Sequence, residues 1–189
     1  LFLCPLCNSP DTQLFLVRNK VPVQQNCLNP TREAALNMPR GNLHMCICTV
    51  CGFVFNSAFD PSIMSYNADY NNAQESSELF RQYLLTLKDK LVRQAGLKQS
   101  NIVEIGCGKG FFLKLLVLDE SLDNRGVGFD PAYEGEETIA DGRLRFEKKY
   151  FDSNCRVFEA DVLICRHVIE HIYRPIDFIR GIGEALKGS

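Results

Sequence analysis

Val103-Glu104-Ile105-Gly106-Cys107-Gly108-Lys109-Gly110 is the stretch that decides the fold of this 189-residue chain. It includes the end of an apolar run, Ile102–Ile105, that is typical of a buried strand, and it precedes a predicted helix over Phe111–Leu118. Glycine lets the backbone turn with positive φ and approach a ligand closely. Glycines here could serve only to turn the strand into the helix. In either case, strand, glycine turn and helix in this order predict an α/β sheet.

The segments that follow repeat the alternation of strand and helix. Val127–Asp130, Leu144–Phe146 and Asp161–Cys165 are predicted strands, and Pro175–Leu186 is a predicted helix with proline in its first turn. Repeated β-α-β units indicate a doubly wound, Rossmann-like parallel sheet, here of about four strands over residues 99–189.

Residues 59–98 form the predicted connection to this sheet. They begin as a polar, Asn-rich loop that carries Tyr66 and Tyr70. A helix follows, because apolar side chains recur at helical spacing. Asn72 is its predicted N-cap and Gly96 its predicted stop.

The first 58 residues hold six of the nine cysteines. Cys4-Pro5-Leu6-Cys7 and Cys48-Thr49-Val50-Cys51 are both C-x-x-C pairs, a spacing that lets two thiolates on one turn bind the same ion. The two pairs together supply the four sulfurs of a closed, structural zinc site. We therefore predict a small zinc-ribbon-like domain over residues 1–58, with these four cysteines as ligands. Buried, unligated thiols are the alternative, and Cys46 ranks below Cys48 as a ligand.

Short strands and one helix complete the predicted first domain. Gln13–Val17, Leu43–Ile47 and Phe53–Phe55 are β-like, and Thr31 is the predicted cap of a short helix. The residues Pro39-Arg40-Gly41-Asn42 predict a turn.

Composition excludes several classes of function. The net charge of −2 offers no basic surplus for a nucleic-acid surface. No apolar run reaches the roughly 18 residues of a membrane span. The odd number of cysteines and the lack of an export signal favour metal binding in the reducing cytoplasm over a disulfide framework.

The form of the glycine turn separates two families of cofactor site. The dinucleotide fingerprint G-x-G-x-x-G fails here, because its third glycine would fall at Phe111. An acid followed by G-x-G-x-G resembles motif I of class I S-adenosylmethionine-dependent methyltransferases. The resemblance implies that Gly106, Gly108 and Gly110 lie against the methionine portion of the cofactor. It also implies that Glu104 holds the amino group of that portion.

Two residues further along extend the resemblance to the cofactor's nucleoside. Asp130 ends the second predicted strand, where the family places the acid that binds the ribose hydroxyls. Phe151 follows the third strand, and by family position it borders the adenine. The alternatives are a loop-capping aspartate before Pro131 and a core aromatic residue.

Cys165-Arg166-His167-Val168-Ile169-Glu170-His171-Ile172 resembles the H-V-x-E-H-I stretch that many of these enzymes carry after strand four. The resemblance implies that His167 lies over the cofactor and His171 faces the substrate, so that these histidines and Glu170 are candidate catalytic residues. We expect both histidines on one helical face. A second metal site is disfavoured, because the metal-binding motif H-E-x-x-H has its glutamate directly after the first histidine, whereas Glu170 stands next to the second. Equally, Glu170 and His171 could satisfy backbone groups at a turn.

The order of the modules narrows the family further. Two cysteine pairs, a tyrosine loop and motif I resemble the sugar C-methyltransferases, which act on nucleotide-linked sugars. Tyr70 would then close over the cofactor. A full class I sheet has seven strands, so we expect residues 99–189 to be truncated at the C-terminus, with an open edge that invites self-association. The alternatives are a cofactor-binding or protein-interaction module without catalysis, and a methyltransferase for another acceptor.

Overall fold

The computed structural model describes residues 2–23, 28–63, 76–152, 155 and 160–187. Three residues singled out from the sequence lie outside these ranges, namely Tyr66, Tyr70 and Asn72. The chain divides into two compact units, Leu1–Tyr70 with Ile172–Ile179 and Asn71–His171 with Arg180–Ser189.

The first unit is built on a three-stranded antiparallel sheet of order β1-β2-β3. Its strands are β1 (Thr12–Pro22), β2 (Arg40–Cys48) and β3 (Val54–Asn56). A short helix, α1 (Arg32–Asn37), begins after Thr31, whose side chain accepts a hydrogen bond from the Ala34 amide as an N-cap does. A 3-10 turn covers Pro61–Ile63.

Strands β1 and β2 are longer than the sequence predicted, whereas β3 keeps the predicted length of three residues. The prediction of a turn over Pro39–Asn42 is wrong, because β2 already begins at Arg40. Gly41 pairs with Val21 and Arg40 pairs with Pro22 on β1. Pairing with the long first strand outweighs the local turn preference of proline and glycine.

The second unit carries a five-stranded sheet of order β6-β7-β5-β4-β8. Its strands are β4 (Asn101–Ile105), β5 (Arg125–Phe129), β6 (Thr138–Ile139), β7 (Leu144–Glu147) and β8 (Val162–Cys165). The four predicted strands run parallel, and the unpredicted β6 pairs antiparallel with β7. In the described residues β8 is the edge strand next to β4.

Two helices of this unit pack against its sheet, and a third helix follows the last strand. Helix α2 (Glu78–Gln94) begins at Ser77, whose hydroxyl accepts from the Phe80 amide, and it ends before Gly96, which has φ +66°. Helix α3 (Phe111–Val117) follows the glycine turn, and α4 (Pro175–Lys187) follows β8. The core of this unit joins the inner faces of α2 and α3 to the strands through the following buried side chains: Leu84, Ile102, Phe112, Leu113, Leu116, Leu144 and Ile164.

The strand order places a crevice at one point of the sheet. From β4 the chain runs outward through β5 to β7, and then returns to place β8 on the other side of β4. Open α/β sheets bind ligands at such a switch point, outside the carboxyl ends of the strands. The glycine turn and the segment after β8 both leave the sheet there. None of the helices in the described part of the chain is long and apolar enough to cross a membrane.

Candidate functional site

The glycine turn is tied to the end of the neighbouring strand β5. The amides of Gly106 and Cys107 both donate to the Phe129 carbonyl, at 2.8 and 3.2 Å. The Gly108 amide donates to Oδ2 of Asp130 at 2.8 Å. These bonds fix the turn against the residue that follows β5, so that motif I and Asp130 form one structure.

Each glycine of the turn has a separate structural reason. Gly106, Gly108 and Gly110 have φ of +69°, +55° and +75°, a region that disfavours side chains. A Cβ at Gly106 would overlap the Val168 side chain, and one at Gly110 would overlap the Phe146 ring. At Gly108 no described atom lies within 4 Å of such a Cβ. Gly108 is therefore the position where the backbone faces open space that a ligand can enter.

A buried ion pair lies beside the turn, between the ends of β4 and β8. Glu104 is 1% exposed, and its Oε1 accepts a hydrogen bond from a terminal nitrogen of Arg166 at 3.1 Å. The Arg166 guanidinium also lies over the Phe112 ring, with 4.2 Å between its central carbon and the ring centroid. Within the described residues, Oε2 of Glu104 and both Nε and Nη1 of Arg166 are buried with no hydrogen-bond partner.

Burial changes the acidity of Glu104. Loss of water around the carboxyl group raises its pKa to about 7, and the charge of Arg166 opposes this rise. The carboxylate therefore needs cationic neighbours to stay ionised. An unpartnered oxygen on such a group is a favourable place for a positively charged ligand atom.

Asp130 and Phe151 occupy the neighbouring end of the sheet. Oδ2 of Asp130 accepts from Gly108, and Oδ1 accepts from the Ala132 amide at 2.8 Å. The second bond is the loop-capping contact that the sequence left open. Carboxylate oxygens accept more than one hydrogen bond each, so both retain capacity for hydroxyl donors. Phe151 packs edge-on against Phe129, with 5.3 Å between ring centroids.

The segment after β8 has a different local structure from the one expected. The prediction that His167 and His171 share one face of a helix is wrong. Only Ile169–His171 form a short 3-10 turn, and His167 lies before this turn with φ +55°. Nδ1 of His167 lies 3.8 Å from Oε1 of Glu170. Left-handed backbone at a non-glycine residue is strained and recurs at functional sites. The contact of Val168 with Gly106 places the segment against the glycine turn.

Arg166 is a residue of this site that the sequence interpretation missed. Its signal was a single arginine directly after a predicted buried strand, at the same sheet edge as the buried Glu104. In the register of the sheet, Glu104 pairs with Ile164, two residues before Arg166. Parallel pairing of β4 and β8 would have placed the two side chains together.

The first unit contains the four cysteines of the two C-x-x-C pairs in one cluster. Their sulfur atoms all lie within 4.8 Å of one another, with 3.7 Å between Cys4 and Cys51 and 3.6 Å between Cys7 and Cys48. Tetrahedral coordination with Zn–S bonds of about 2.3 Å separates sulfurs by roughly 3.8 Å. The amide of Cys51 lowers the pKa of the Cys48 thiol to about 7. The cluster has the geometry to hold a metal ion.

The turns formed by the two C-x-x-C pairs have the same backbone conformation. The residue after each second cysteine is left-handed, with φ +60° at Asn8 and +75° at Gly52. Its amide donates to the carbonyl of the first cysteine, at 2.9 Å in each case. Cys46 stands apart from the cluster, and its sulfur is 3.5 Å from the Ser57 hydroxyl. The interpretation that placed it below Cys48 agrees with this position.

Comparison with known proteins bears on the second unit. No curated protein matches the chain. A family model described as a methyltransferase domain matches residues 76–189, which include the glycine turn, Asp130 and the segment after β8. This match covers more than half of the chain, and the five-stranded, mostly parallel sheet agrees with it. The chain belongs to the methyltransferase domain family.

Proposed function

We propose that the protein is an S-adenosylmethionine-dependent methyltransferase that acts on a small molecule. The observation that carries the proposal is Glu104, a buried carboxylate at the switch point of the sheet whose Oε2 has no partner among the described residues. Such a group binds a cation, and the methionine end of the cofactor carries an ammonium group.

The rest of the site fits the same ligand. Gly108 leaves open space beside the turn, and Asp130 stands where a carboxylate can accept two ribose hydroxyls. Two acids at this sheet edge suit a ligand with ammonium and sulfonium charges. They would repel the pyrophosphate of a dinucleotide. The charges of the site therefore favour S-adenosylmethionine over NAD.

Methyl transfer by direct displacement needs an acceptor atom aligned with the methyl group, and a side chain that accepts the proton which the acceptor loses. When bound, S-adenosylmethionine supplies a methyl group activated by the adjacent sulfonium. Glu104, Gly108 and Asp130 fix the orientation of that group, and alignment alone lowers the barrier by several kcal/mol. His167, which is paired with Glu170, and His171 lie in the segment whose Val168 contacts the glycine turn, and we assign the two imidazoles to proton acceptance from the substrate.

We propose a nucleotide-linked sugar as the acceptor, methylated at carbon. The support is the resemblance of module order, with two cysteine pairs ahead of motif I, together with the four-sulfur cluster in the first unit. Incubation with labelled cofactor and a panel of nucleotide-linked keto sugars tests this assignment. Label transfer to another class of small molecule, with none to the sugars, would replace it.

Calorimetric titration with S-adenosylhomocysteine, with NAD as the control ligand, tests the cofactor assignment. We expect micromolar binding of the first ligand and none of the second. Asp130→Ala should weaken binding by about tenfold or more, because it removes the charge-assisted bonds to the ribose. Asp89→Ala, which removes an exposed acid on α2, is the matched control and should leave binding unchanged. Failure of a folded, zinc-loaded sample to bind S-adenosylhomocysteine would contradict the proposal.

We propose that the cluster of Cys4, Cys7, Cys48 and Cys51 holds one structural zinc ion. Metal analysis of the purified protein should give one zinc per chain. The matched pair is Cys48→Ala and Cys46→Ala, two fully buried cysteines on β2 of which only the first belongs to the cluster. Loss of zinc in the first variant and retention in the second is expected. Equal zinc content in both variants would disprove the ligand set.

A further inference from the structure

Strand β1 of the first unit is open to solvent on both of its faces. Every residue from Gln13 to Lys20 is exposed, although a strand of a folded domain normally buries at least one face. Four consecutive residues of this stretch are large and apolar, with exposed fractions between 43% and 56%: Leu14, Phe15, Leu16 and Val17. A contiguous apolar surface on a folded protein marks a site of interaction.

The backbone of β1 is open along one side as well. In the described part of the chain β1 pairs with β2 alone, so it forms one edge of its three-stranded sheet. Proteins protect long edge strands with charged residues, proline or bulges. The run Thr12–Val17 contains neither a charge nor a proline, and its one protective feature is a bulge between Leu14 and Leu16. The outer N–H and C=O groups of this run are therefore available to another strand.

The charges at the two ends of the apolar run select the partner. Asp11 precedes the run, Arg18 and Lys20 follow it, and all three side chains are exposed. Two copies of β1 in antiparallel orientation bring the acidic end of each strand to the basic end of the other. Parallel pairing would instead place like charges together. The strand is thus complementary to itself in the antiparallel orientation, as the contact surface of a two-fold symmetric dimer must be.

We propose that β1 is the interface of a homodimer, in which two copies of the strand pair antiparallel around a two-fold axis near Phe15. Leu14 then lies opposite Leu16 of the partner subunit, and Gln13 lies opposite Val17 of the partner subunit. The two three-stranded sheets join into one sheet of six strands. The edge strand β3 has only three residues, so it offers little to a further copy and the assembly closes as a dimer.

The exposed area sets the expected affinity. The half-exposed apolar side chains offer on the order of 300 Å² per copy, against roughly 800 Å² on each side of a standard interface. Backbone pairing and two symmetric contacts between acidic and basic strand ends add to this area. We therefore expect a reversible dimer with a dissociation constant in the micromolar range.

Sedimentation velocity over a concentration series centred on about 10 μM tests the interface. The wild-type protein should shift from monomer to dimer as its concentration rises. Phe15→Lys places a charge at the centre of the interface, and it should weaken dimerisation by about tenfold or more. Val54→Lys is the matched control, because Val54 is 46% exposed on the other edge strand, β3, and it should leave the dimer unchanged.

Two results would overturn the inference. One is a wild-type protein that stays monomeric over the whole series, a comparison that needs no variant. The other is a dimer that persists in Phe15→Lys, since such a dimer would use another surface, such as the edge at β8.

An exchange of charges tests the antiparallel orientation. Asp11→Lys alone places like charges together at both ends of the paired run, and it should weaken the dimer by about tenfold. Addition of Arg18→Glu and Lys20→Glu to the same chain reverses the polarity of the run and should restore dimerisation. All three positions are exposed, so circular dichroism of each variant should match that of the wild type. A folded triple variant that fails to recover dimerisation would refute the antiparallel pairing.

Discussion

Substitution of Gly106 by alanine should destabilise the second unit and disturb the site at the same time. The new Cβ would overlap Cγ2 of Val168, a β-branched side chain that cannot easily change rotamer. Gly106 also has φ +69°, where an alanine is strained by about 1–2 kcal/mol. Relief of the overlap by movement of the segment after β8 should add about 1–3 kcal/mol. The expected loss is therefore roughly 2–5 kcal/mol in the free energy of unfolding.

Gly142→Ala separates the strain from the overlap. Gly142 has φ +82°, and no described atom lies within 4 Å of a Cβ built there. This variant should lose only the strain of about 1–2 kcal/mol. Denaturant unfolding of the wild-type protein and both variants gives the comparison, with calorimetric binding of S-adenosylhomocysteine as a second readout. Gly106→Ala should weaken binding, because the overlap with Val168 displaces the glycine turn to which we assign the cofactor. Equal destabilisation by the two variants, with unchanged binding in both, would refute this account of the turn.

Three further predictions concern single residues of the second unit. Burial raises the pKa of Glu104 from its ordinary 4.5 to about 7, so between these pH values the folded state binds a proton that the unfolded state has released. The free energy of unfolding should therefore fall by a few kcal/mol as the pH rises from about 4.5 to about 7. Glu104→Gln should remove that slope in unfolding curves measured across the same range. Asn124→Ala leaves the Ser100 amide and the Leu116 carbonyl without their buried partner, and should cost about 2–4 kcal/mol by denaturant unfolding. Ser77→Ala removes the N-cap of α2, and should lower the free energy of unfolding by about 1 kcal/mol.

Features of the sheet with strong local signals were predictable. The apolar run before Gly106 predicted β4, and the three spaced glycines predicted the turn that joins this strand to α3. The spacing of the cysteines predicted a four-sulfur cluster, which the structure contains. These signals are local in the chain, so that a single segment carries enough information to specify them.

Features that depend on distant partners were not predictable. Strand β6 has only the residues Thr138–Ile139, and it exists through its pairing with β7. The start of β2 at Arg40 likewise depends on β1. The ion pair between Arg166 and Glu104 could be predicted only with the knowledge that β8 lies beside β4, and the residues next to Arg166 in the chain do not carry that information. Tertiary context decided each of these cases.

The cysteine cluster joins parts of the chain that are far apart in sequence. Cys7 and Cys48 are separated by 41 positions, and Cys4 and Cys51 by 47. Closing a loop of about 40 residues opposes folding by roughly 3 kcal/mol of chain entropy. Thr12 pairs with Cys48, so the cysteine cluster lies beside the first residue pair of the β1–β2 ladder. An ion bound early by the four sulfurs would offset the entropy cost of loop closure in one step. The pairing of β1 with β2 would then form outward from the metal.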